Sequence, residues 1–258
     1  MQTIAVSNRK GGVAKTTTVY ELAAAFHGQG LSVLCIDFDP QGSLTRLYMA
    51  QEYNIAPALD PEKQEAPKIT PTKHGALIAS SPNMARIERD HIITKGREYL
   101  LSNLLLSLEL DKAPFDICLI DTPPALGLLT MNAVTAADAL IIPVAPDTLT
   151  LPEARKMIET AQIVKKYSNV ELSTIALLLC GYEARRVLSN EAEGAYKALA
   201  AETGTVFLAN HIRRTSEVQK AQAGRKSVRE YAPNGIAAHD YEAAALEILN
   251  LIKERGSK

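Results

Sequence analysis

The chain has 258 residues, a hydrophobic fraction of 47% and a formal net charge of −1, which is the composition of a globular protein large enough to bury a core. A net charge this close to zero gives no overall attraction to nucleic acid, so any binding to nucleic acid requires a local basic patch. The chain lacks Trp and is only 5% aromatic, which argues against base-stacking platforms. It shows neither a signal-peptide pattern nor a run of about 18 apolar residues. We therefore expect a soluble, cytoplasmic protein.

Cysteine and histidine give no sign of a metal or redox centre. Cys35, Cys118 and Cys180 lie far apart, each in or beside an apolar run, and no pair has the spacing of a zinc or redox motif. The five histidines are scattered. We expect the cysteines to be buried apolar side chains in a reducing compartment.

Short apolar runs alternate with segments of helical period along the chain. Strands are predicted at 3–7, 32–36, 76–79, 115–120, 139–144, 172–179 and 205–208, and helices at 15–29 and 97–109. Continuous apolar strands are typical of a parallel sheet covered on both faces. The sequence therefore predicts one α/β domain over residues 1–258, with a doubly wound, mostly parallel sheet and helices on both faces. Residues 51–73 are predicted to be a surface excursion within that domain.

A glycine-rich turn between the first strand and the first helix has the character of a phosphate cradle. Its amides from Gly11 to Thr16 can point at a β-phosphate, and the helix N-terminus adds unpaired N–H groups and a positive dipole end. Lys15 is positioned to reach the β- and γ-phosphates, and the Thr16 hydroxyl to bind Mg²⁺. The predicted ATP-binding residues are Lys10, Gly11, Gly12, Val13, Ala14, Lys15, Thr16 and Thr17.

The turn departs from the strict pattern G-x-x-x-x-G-K-[ST]. Arg9 stands where the first glycine belongs, Ala14 replaces the glycine before the lysine, and Lys10 adds a second lysine. If position 14 has a positive φ, its methyl group costs about 1 kcal/mol. This substitution would loosen nucleotide binding but leaves both lysines in place.

The segment resembles the signature of the deviant Walker A ATPases, which include the ParA/Soj proteins, MinD and the nitrogenase iron protein. The resemblance implies a magnesium-dependent ATPase with slow intrinsic turnover, in which Lys10 reaches across an ATP-bridged homodimer to the partner's phosphates. Without that anion Lys10 would be a buried, unpaired cation, so dimerisation would depend on ATP.

Carboxylates follow two of the predicted strands. The segment from Asp37 to Ser43 resembles the D-x-D-P-Q-G-N element of ParA/Soj proteins, with Ser43 in place of Asn. The resemblance implies that Lys10, Lys15 and Asp39 are the catalytic residues, and that Asp39 orients the attacking water. It also implies that Asp37 supports the magnesium shell. The alternative is that one of these aspartates is a helix N-cap.

A third aspartate, Asp121, ends the apolar strand at 115–120 and precedes Thr122-Pro123-Pro124. This is the Walker B arrangement, in which the acid binds Mg²⁺ through water. The D-x-P-P loop, followed by L-x-x-N-A at 129–133, matches the family, and the motifs fall in family order across residues 3–147. The predicted metal-binding residues are therefore Thr16, Asp37 and Asp121.

Within this superfamily the P-Q-G and D-x-P-P elements favour the partition ATPases. Cys118 lies inside a strand, which argues against an iron–sulfur cluster at a dimer seam.

The implied function is plasmid or chromosome segregation, in which the protein is released from DNA by ATP hydrolysis that a ParB-like partner stimulates. One alternative is a MinD-like membrane positioner, although the amphipathic segment 240–255 lacks the residues of an interfacial anchor and is expected to pack on the sheet. Another is an ATP-gated regulator of replication or transcription.

The segment between positions 211 and 230 contains six basic residues and only two acidic ones, which is a local excess of positive charge. Such an excess fits sequence-independent contact with DNA phosphates, and the alternative is a solvated helical face. The resemblance implies nonspecific double-stranded DNA as a partner and a nucleoid-associated protein. Because the chain begins directly at the first predicted strand, we expect no N-terminal helix-turn-helix domain. Residues 212–214 differ from the family's usual Pro-Arg-Asn, so no adenine contact is assigned. The candidate DNA-binding residues are Arg185, Arg186, Arg213, Arg214, Lys220, Arg225, Lys226 and Arg229.

Overall fold

Strands and helices alternate along most of the chain. The structure is a computed structural model that describes residues 1–60, 63, 65–90, 95–110 and 115–256. Within these ranges the strands are β1 (Gln2–Val6), β2 (Val33–Asp37), β3 (Thr70–Thr72), β4 (Gly75–Ile78), β5 (Ile117–Asp121), β6 (Ala139–Val144), β7 (Thr174–Tyr182), β8 (Val206–Phe207) and β9 (Ile212–Arg213). The helices are α1 (Lys15–Gly28), α2 (Ser43–Leu47), α3 (Ala56–Leu59), α4 (Ile87–Asp90), α5 (Leu100–Leu110), α6 (Leu128–Thr135), α7 (Leu151–Tyr167), α8 (Val187–Thr203), α9 (Ser216–Ala223), α10 (Val228–Tyr231) and α11 (Ile236–Gly256).

The strands form one central sheet in the order β3-β4-β2-β5-β1-β6-β7-β8, with β9 paired to β7. Every described pairing is parallel except β3–β4, so the predicted mostly parallel, doubly wound sheet is confirmed. The exception lies inside the predicted excursion at 51–73, whose end forms the edge strand β3. Pro71 is compatible with this position, because proline is tolerated on an edge strand.

Both faces of the sheet are buried against helices. Ala5 belongs to the core on one face with residues of α5 to α8, whereas Ile4 and Val6 belong to the core on the other face with residues of α1, α9 and α11. Adjacent residues of β1 thus point into different cores, which is why the strands are apolar at consecutive positions.

The C-terminal helix α11 packs its apolar face on the sheet, as the sequence predicts. Tyr241, Ala245, Ile248 and Ile252 are buried in the same core as the apolar residues of α1. In the described part of the chain, no helix combines the length and apolarity needed to cross a membrane.

Helix α1 carries a buried carboxyl group, Glu21, which is 1% exposed. Its Oε2 accepts a hydrogen bond from the Val228 amide at 2.9 Å, while Oε1 has no partner in the described residues. Burial raises the pKa of Glu21 from 4.5 to about 8; the negative charge of Glu230 adds to the rise, and Lys73 opposes it. The folded protein therefore holds this proton more tightly than the unfolded chain does.

Burial of Glu21 is expected to lower the free energy of unfolding of the wild type as pH rises from about 4.5 towards 8. Glu21→Gln should abolish this decrease. The sign follows from linkage, since stability falls with pH wherever the folded state binds more protons. Urea unfolding at pH 5, 7 and 9 measures the effect. The free energy of unfolding of the variant, relative to that of the wild type, should increase with pH, by a few kcal/mol at the highest pH, on the order set by the pKa shift. Glu191→Gln, on the exposed face of α8, is the control. Parallel pH profiles for wild type and Glu21→Gln would contradict this expectation.

Candidate functional site

The turn between β1 and α1 forms an open cradle. Gly12 and Ala14 adopt left-handed conformations, with φ of 76° and 69°. A Cβ atom built at Gly11 or Gly12 would meet nothing within 4 Å, so the space beside the backbone is free for a ligand. No side chain caps the start of α1, which leaves its first-turn amides to bind an anion.

Asn8 anchors this turn to the sheet. The residue is 1% exposed; its Nδ2 donates to the Pro143 carbonyl at 2.7 Å and its Oδ1 accepts from the Lys10 amide at 3.1 Å. Sequence reasoning missed Asn8, although a polar residue directly between a buried strand and a glycine-rich turn was a usable signal. Asn8 fixes the turn to the end of β6 and so sets where the backbone of Lys10 lies.

Ala14 adopts the left-handed conformation in which its methyl group is expected to be costly. With φ 69° and ψ 27° it precedes the first residue of α1, so the methyl group is strained. Ala14→Gly is therefore expected to raise the free energy of unfolding by about 1 kcal/mol, measured by urea unfolding. Ala198→Gly, at an exposed and ordinary position of α8, should lower it by a similar amount. Destabilisation by Ala14→Gly would contradict the strain.

The two lysines of the turn differ in their surroundings. Lys15 is 8% exposed and its Nζ donates to the Lys10 carbonyl at 3.3 Å. Burial lowers the pKa of Lys15, and the charges of Asp121 and Asp39 oppose this. The Lys10 side chain is exposed and makes no hydrogen bond or ion pair with any described residue. Lys15 is thus fixed inside the site, whereas Lys10 is available at its mouth.

Asp121 is fully buried, and neither of its carboxylate oxygens has a hydrogen-bond partner among the described residues. Burial raises its pKa well above the usual range, with the charge of Asp37 as the second cause; the nearby Thr16 hydroxyl opposes the rise without completing a hydrogen bond. An orphaned carboxylate beside a phosphate cradle fits a magnesium site. Among the described residues, no group of three or more acidic, His or Cys side chains is arranged to hold a metal ion.

Asp37 lies beside Asp121 in the parallel register of β2 and β5, but its oxygens are already used. Oδ2 accepts from the amide and the hydroxyl of Thr45, both at 2.7 Å, and Oδ1 accepts from the Asp39 amide at 3.3 Å. Burial raises the pKa of Asp37 to about 6 against these bonds. Asp37 therefore binds the first turn of α2 through Thr45 without being its N-cap, because the N-cap position is Gly42. Its predicted support of a magnesium shell stays a prediction.

Asp39 faces the cleft with one free oxygen. Its Oδ1 accepts from the Gln41 amide at 2.9 Å, its carbonyl accepts from the Ser80 hydroxyl at 2.7 Å, and no described residue donates to Oδ2. The cleft has a volume of about 670 Å³. Besides Asp39 and the residues of the glycine-rich turn, its lining includes Ser43, Arg46, Pro124, Gln222 and Arg225, so Arg225 faces this cleft as well as the outer surface.

The candidate DNA-binding residues fall into two groups. Four are held in ion pairs: Arg213 with Asp240 at 2.5 Å, Arg229 with Glu242, and both Arg186 and Arg214 with Glu183 at 3.4 and 3.2 Å. Within the described chain the other four are exposed and have no ion pair; these are Arg185, Lys220, Arg225 and Lys226. The charges of the second group are the ones free to meet an external anion.

Comparison with known proteins places these features in a family. A family profile described as AAA domain matches residues 1–174. The chain is 30% identical over 254 residues to the chromosome-partitioning ATPase Soj of Thermus thermophilus, covering 97% of this chain and 96% of that protein. It is 34% identical over 188 residues to the sporulation initiation inhibitor protein Soj of Bacillus subtilis, covering 70% and 73%.

Solved structures agree in fold. The structure of cobyrinic acid a,c-diamide synthase from Mycobacterium smegmatis with a bound ATP analog and magnesium has a TM-score of 0.80 and 30% identity, covering 98% of this chain and 96% of that one. The family match and the nearly full-length similarity show that the chain belongs to the ParA/Soj family of P-loop ATPases.

Proposed function

We propose that this protein is a magnesium-dependent partition ATPase that binds nonspecific DNA as an ATP-bridged dimer and releases it on hydrolysis. The observation that carries the proposal is the cleft itself. A buried lysine, an exposed lysine and an unpartnered buried carboxylate surround an open phosphate cradle. The names of the relatives support partition as the process that this cleft serves.

The residues of the cleft divide the chemistry among them. Lys15 and the amides of the turn bind the phosphates, and Thr16 and Asp121 would hold Mg²⁺, which supplies charge neutralisation at the phosphates when bound. Asp39, through its free oxygen, orients the attacking water. Catalysis is then positioning together with stabilisation of the developing charge, which is consistent with slow turnover until a ParB-like partner completes the site.

The exposed Lys10 supports dimerisation that depends on ATP. Its ammonium group has no partner in the described chain, although the turn that carries it is fixed by Asn8. A second copy whose nucleotide faced Lys10 would give this cation an anionic partner, and removing the γ-phosphate would remove part of that attraction.

Exposed Lys220, Arg225 and Lys226 are the best-supported contacts to DNA phosphates, because ion pairs already engage Arg213 and Arg229. Lys220→Ala/Lys226→Ala is expected to weaken ATP-dependent binding to nonspecific duplex DNA about tenfold and to reduce the salt slope of the affinity by about two. Lys165→Ala/Lys166→Ala makes the same change of charge on α7 and should leave DNA binding intact.

The experiment is a DNA mobility-shift titration with ATP, with ADP and without nucleotide. We expect the wild type to bind only with ATP. Binding that ignores the nucleotide, or no binding in any state, would contradict the partition function. Equal losses in both lysine pairs would contradict the assigned surface.

A regulatory role is the second candidate, because the B. subtilis relative is named as an inhibitor of sporulation initiation. ATP would then gate contact with a replication or transcription protein. That function requires nucleotide-dependent capture of a protein partner without DNA binding, which the same titration separates from partition.

A further inference from the structure

Gln222, in the last turn of α9, reaches the phosphate loop. Its Nε2 donates to the Thr17 hydroxyl oxygen at 2.7 Å, although the two residues are 205 positions apart in sequence. Thr17 lies in the first turn of α1, and both side chains line the cleft. A hydroxyl that accepts from an amide keeps its own hydrogen, so Thr17 can accept from Gln222 and donate to a phosphate oxygen at the same time.

The residues after Gln222 form a basic turn, 223–226, that carries exposed Arg225 and Lys226. The Arg225 amide donates to the Gln222 carbonyl at 2.9 Å. The Arg225 carbonyl accepts from the Tyr20 hydroxyl at 3.2 Å and from Lys73 Nζ at 2.7 Å. Arg225 has a φ of 51°, a conformation that a non-glycine residue keeps only when its surroundings fix it. The turn is therefore tied to α1 at both ends.

We propose that Gln222 is a positioning residue that couples nucleotide in the phosphate loop to the contact of turn 223–226 with the phosphate backbone of double-stranded DNA. The inference rests on the proposed function. A phosphate that accepts the Thr17 hydrogen polarises the hydroxyl and strengthens its bond to Gln222, because consecutive hydrogen bonds reinforce one another. The strengthened bond holds Gln222 and the basic turn that follows it. By linkage, DNA must increase the affinity for nucleotide by the same factor by which nucleotide increases the affinity for DNA.

The first test does not involve DNA. Hydrogen exchange of the Arg225 and Lys226 amides is measured with and without a non-hydrolysable ATP analogue and Mg²⁺. The nucleotide should slow exchange in the wild type and in Gln219→Ala, an exposed control on the same helix, but not in Gln222→Ala. The coupling is overturned if the wild type gains no protection, or if Gln222→Ala gains as much as the wild type.

The second test measures affinity for nonspecific duplex DNA with and without the analogue. Gln222→Ala should reduce the nucleotide-dependent gain about five- to tenfold, the effect of one lost hydrogen bond. If the wild type never binds DNA, the proposed function fails while the exchange result still decides the coupling. If the wild type gains affinity with nucleotide and Gln222→Ala gains equally, the coupling alone fails.

Thermal melting checks that the variants fold. If Gln222→Ala does not fold, Gln222→Met replaces it in both tests, because it keeps the length of the side chain and removes the amide donor without adding a charge. The expected losses are the same, and wild-type behaviour of Gln222→Met would overturn the coupling.

Discussion

Asp39→Asn is expected to reduce the rate of ATP hydrolysis by ~10²- to 10⁴-fold while leaving ATP affinity within about threefold of the wild type. The carboxylate can hold a water through its free Oδ2, whereas an amide nitrogen at that position donates instead of accepting. The backbone around residue 39 should persist, since Ser80 binds the Asp39 carbonyl and Asn can still accept from the Gln41 amide. Single-turnover hydrolysis and nucleotide titration measure the two quantities separately.

Asp37→Asn is the contrasting substitution. Because Asp37 accepts two bonds from Thr45 and one from the Asp39 amide, its replacement should lower the melting temperature, whereas Asp39→Asn should leave the melting temperature unchanged. If Asp39→Asn hydrolysed ATP at the wild-type rate, Asp39 would not be the residue that orients the water. A large loss of stability in Asp39→Asn would give the residue a structural role instead.

Lys15→Ala is expected to weaken ATP binding by at least about 100-fold, ~3 kcal/mol, and to leave no detectable hydrolysis. The Lys15 ammonium is buried and already positioned by the Lys10 carbonyl, so little ordering remains to be done when phosphates arrive. In a desolvated site a charge-assisted contact to phosphate is also stronger than in water. Calorimetric titration with a non-hydrolysable ATP analogue measures the loss.

Lys10→Ala makes the same chemical change five positions earlier and serves as the matched control. Because the Lys10 side chain is exposed and has no described partner, whereas Lys15 is buried in the cleft, the variant should bind ATP nearly as the wild type does. It should instead lose ATP-dependent dimerisation in analytical ultracentrifugation. Tight ATP binding by Lys15→Ala would remove the basis for the site, and an ATP-dependent dimer of Lys10→Ala would remove the role of Lys10 between subunits.

Local pattern sufficed for much of the fold and of the phosphate site. The apolar runs at 32–36 and 139–144 became β2 and β6, because a buried parallel strand needs apolar side chains on both faces. The order strand, glycine-rich turn and helix placed Lys15 at the start of α1, since this order is itself a local property. The family and the fold class are confirmed, whereas the roles of Lys10, Lys15 and Asp39 stay predictions until they are measured.

Contacts between segments that are distant in sequence could not be predicted from local sequence pattern. Nothing near Arg213 in the sequence indicates that Asp240 of α11 binds its guanidinium, and nothing near Thr17 indicates Gln222. The edge strand β3 was equally hidden, because its three residues are held by pairing with β4 and not by their own apolar pattern. Charge patterning therefore identified the basic segment but could not separate the structural cations from the free ones.

The register of β5 limits how this chain can change in length. Asp121 aligns with Asp37 on one side and with Val6 on the other, and strand side chains alternate between the two faces of the sheet. Inserting or deleting a single residue within β5 would turn the following side chain to the opposite face and remove the carboxylate from the cleft. Residues 65–69 lie between α3 and β3, outside these central strands, and are exposed or half-buried, so a change of length there leaves that register in place. Insertions engineered at 65–69 should therefore leave ATP hydrolysis intact, whereas single-residue insertions in β5 should abolish it.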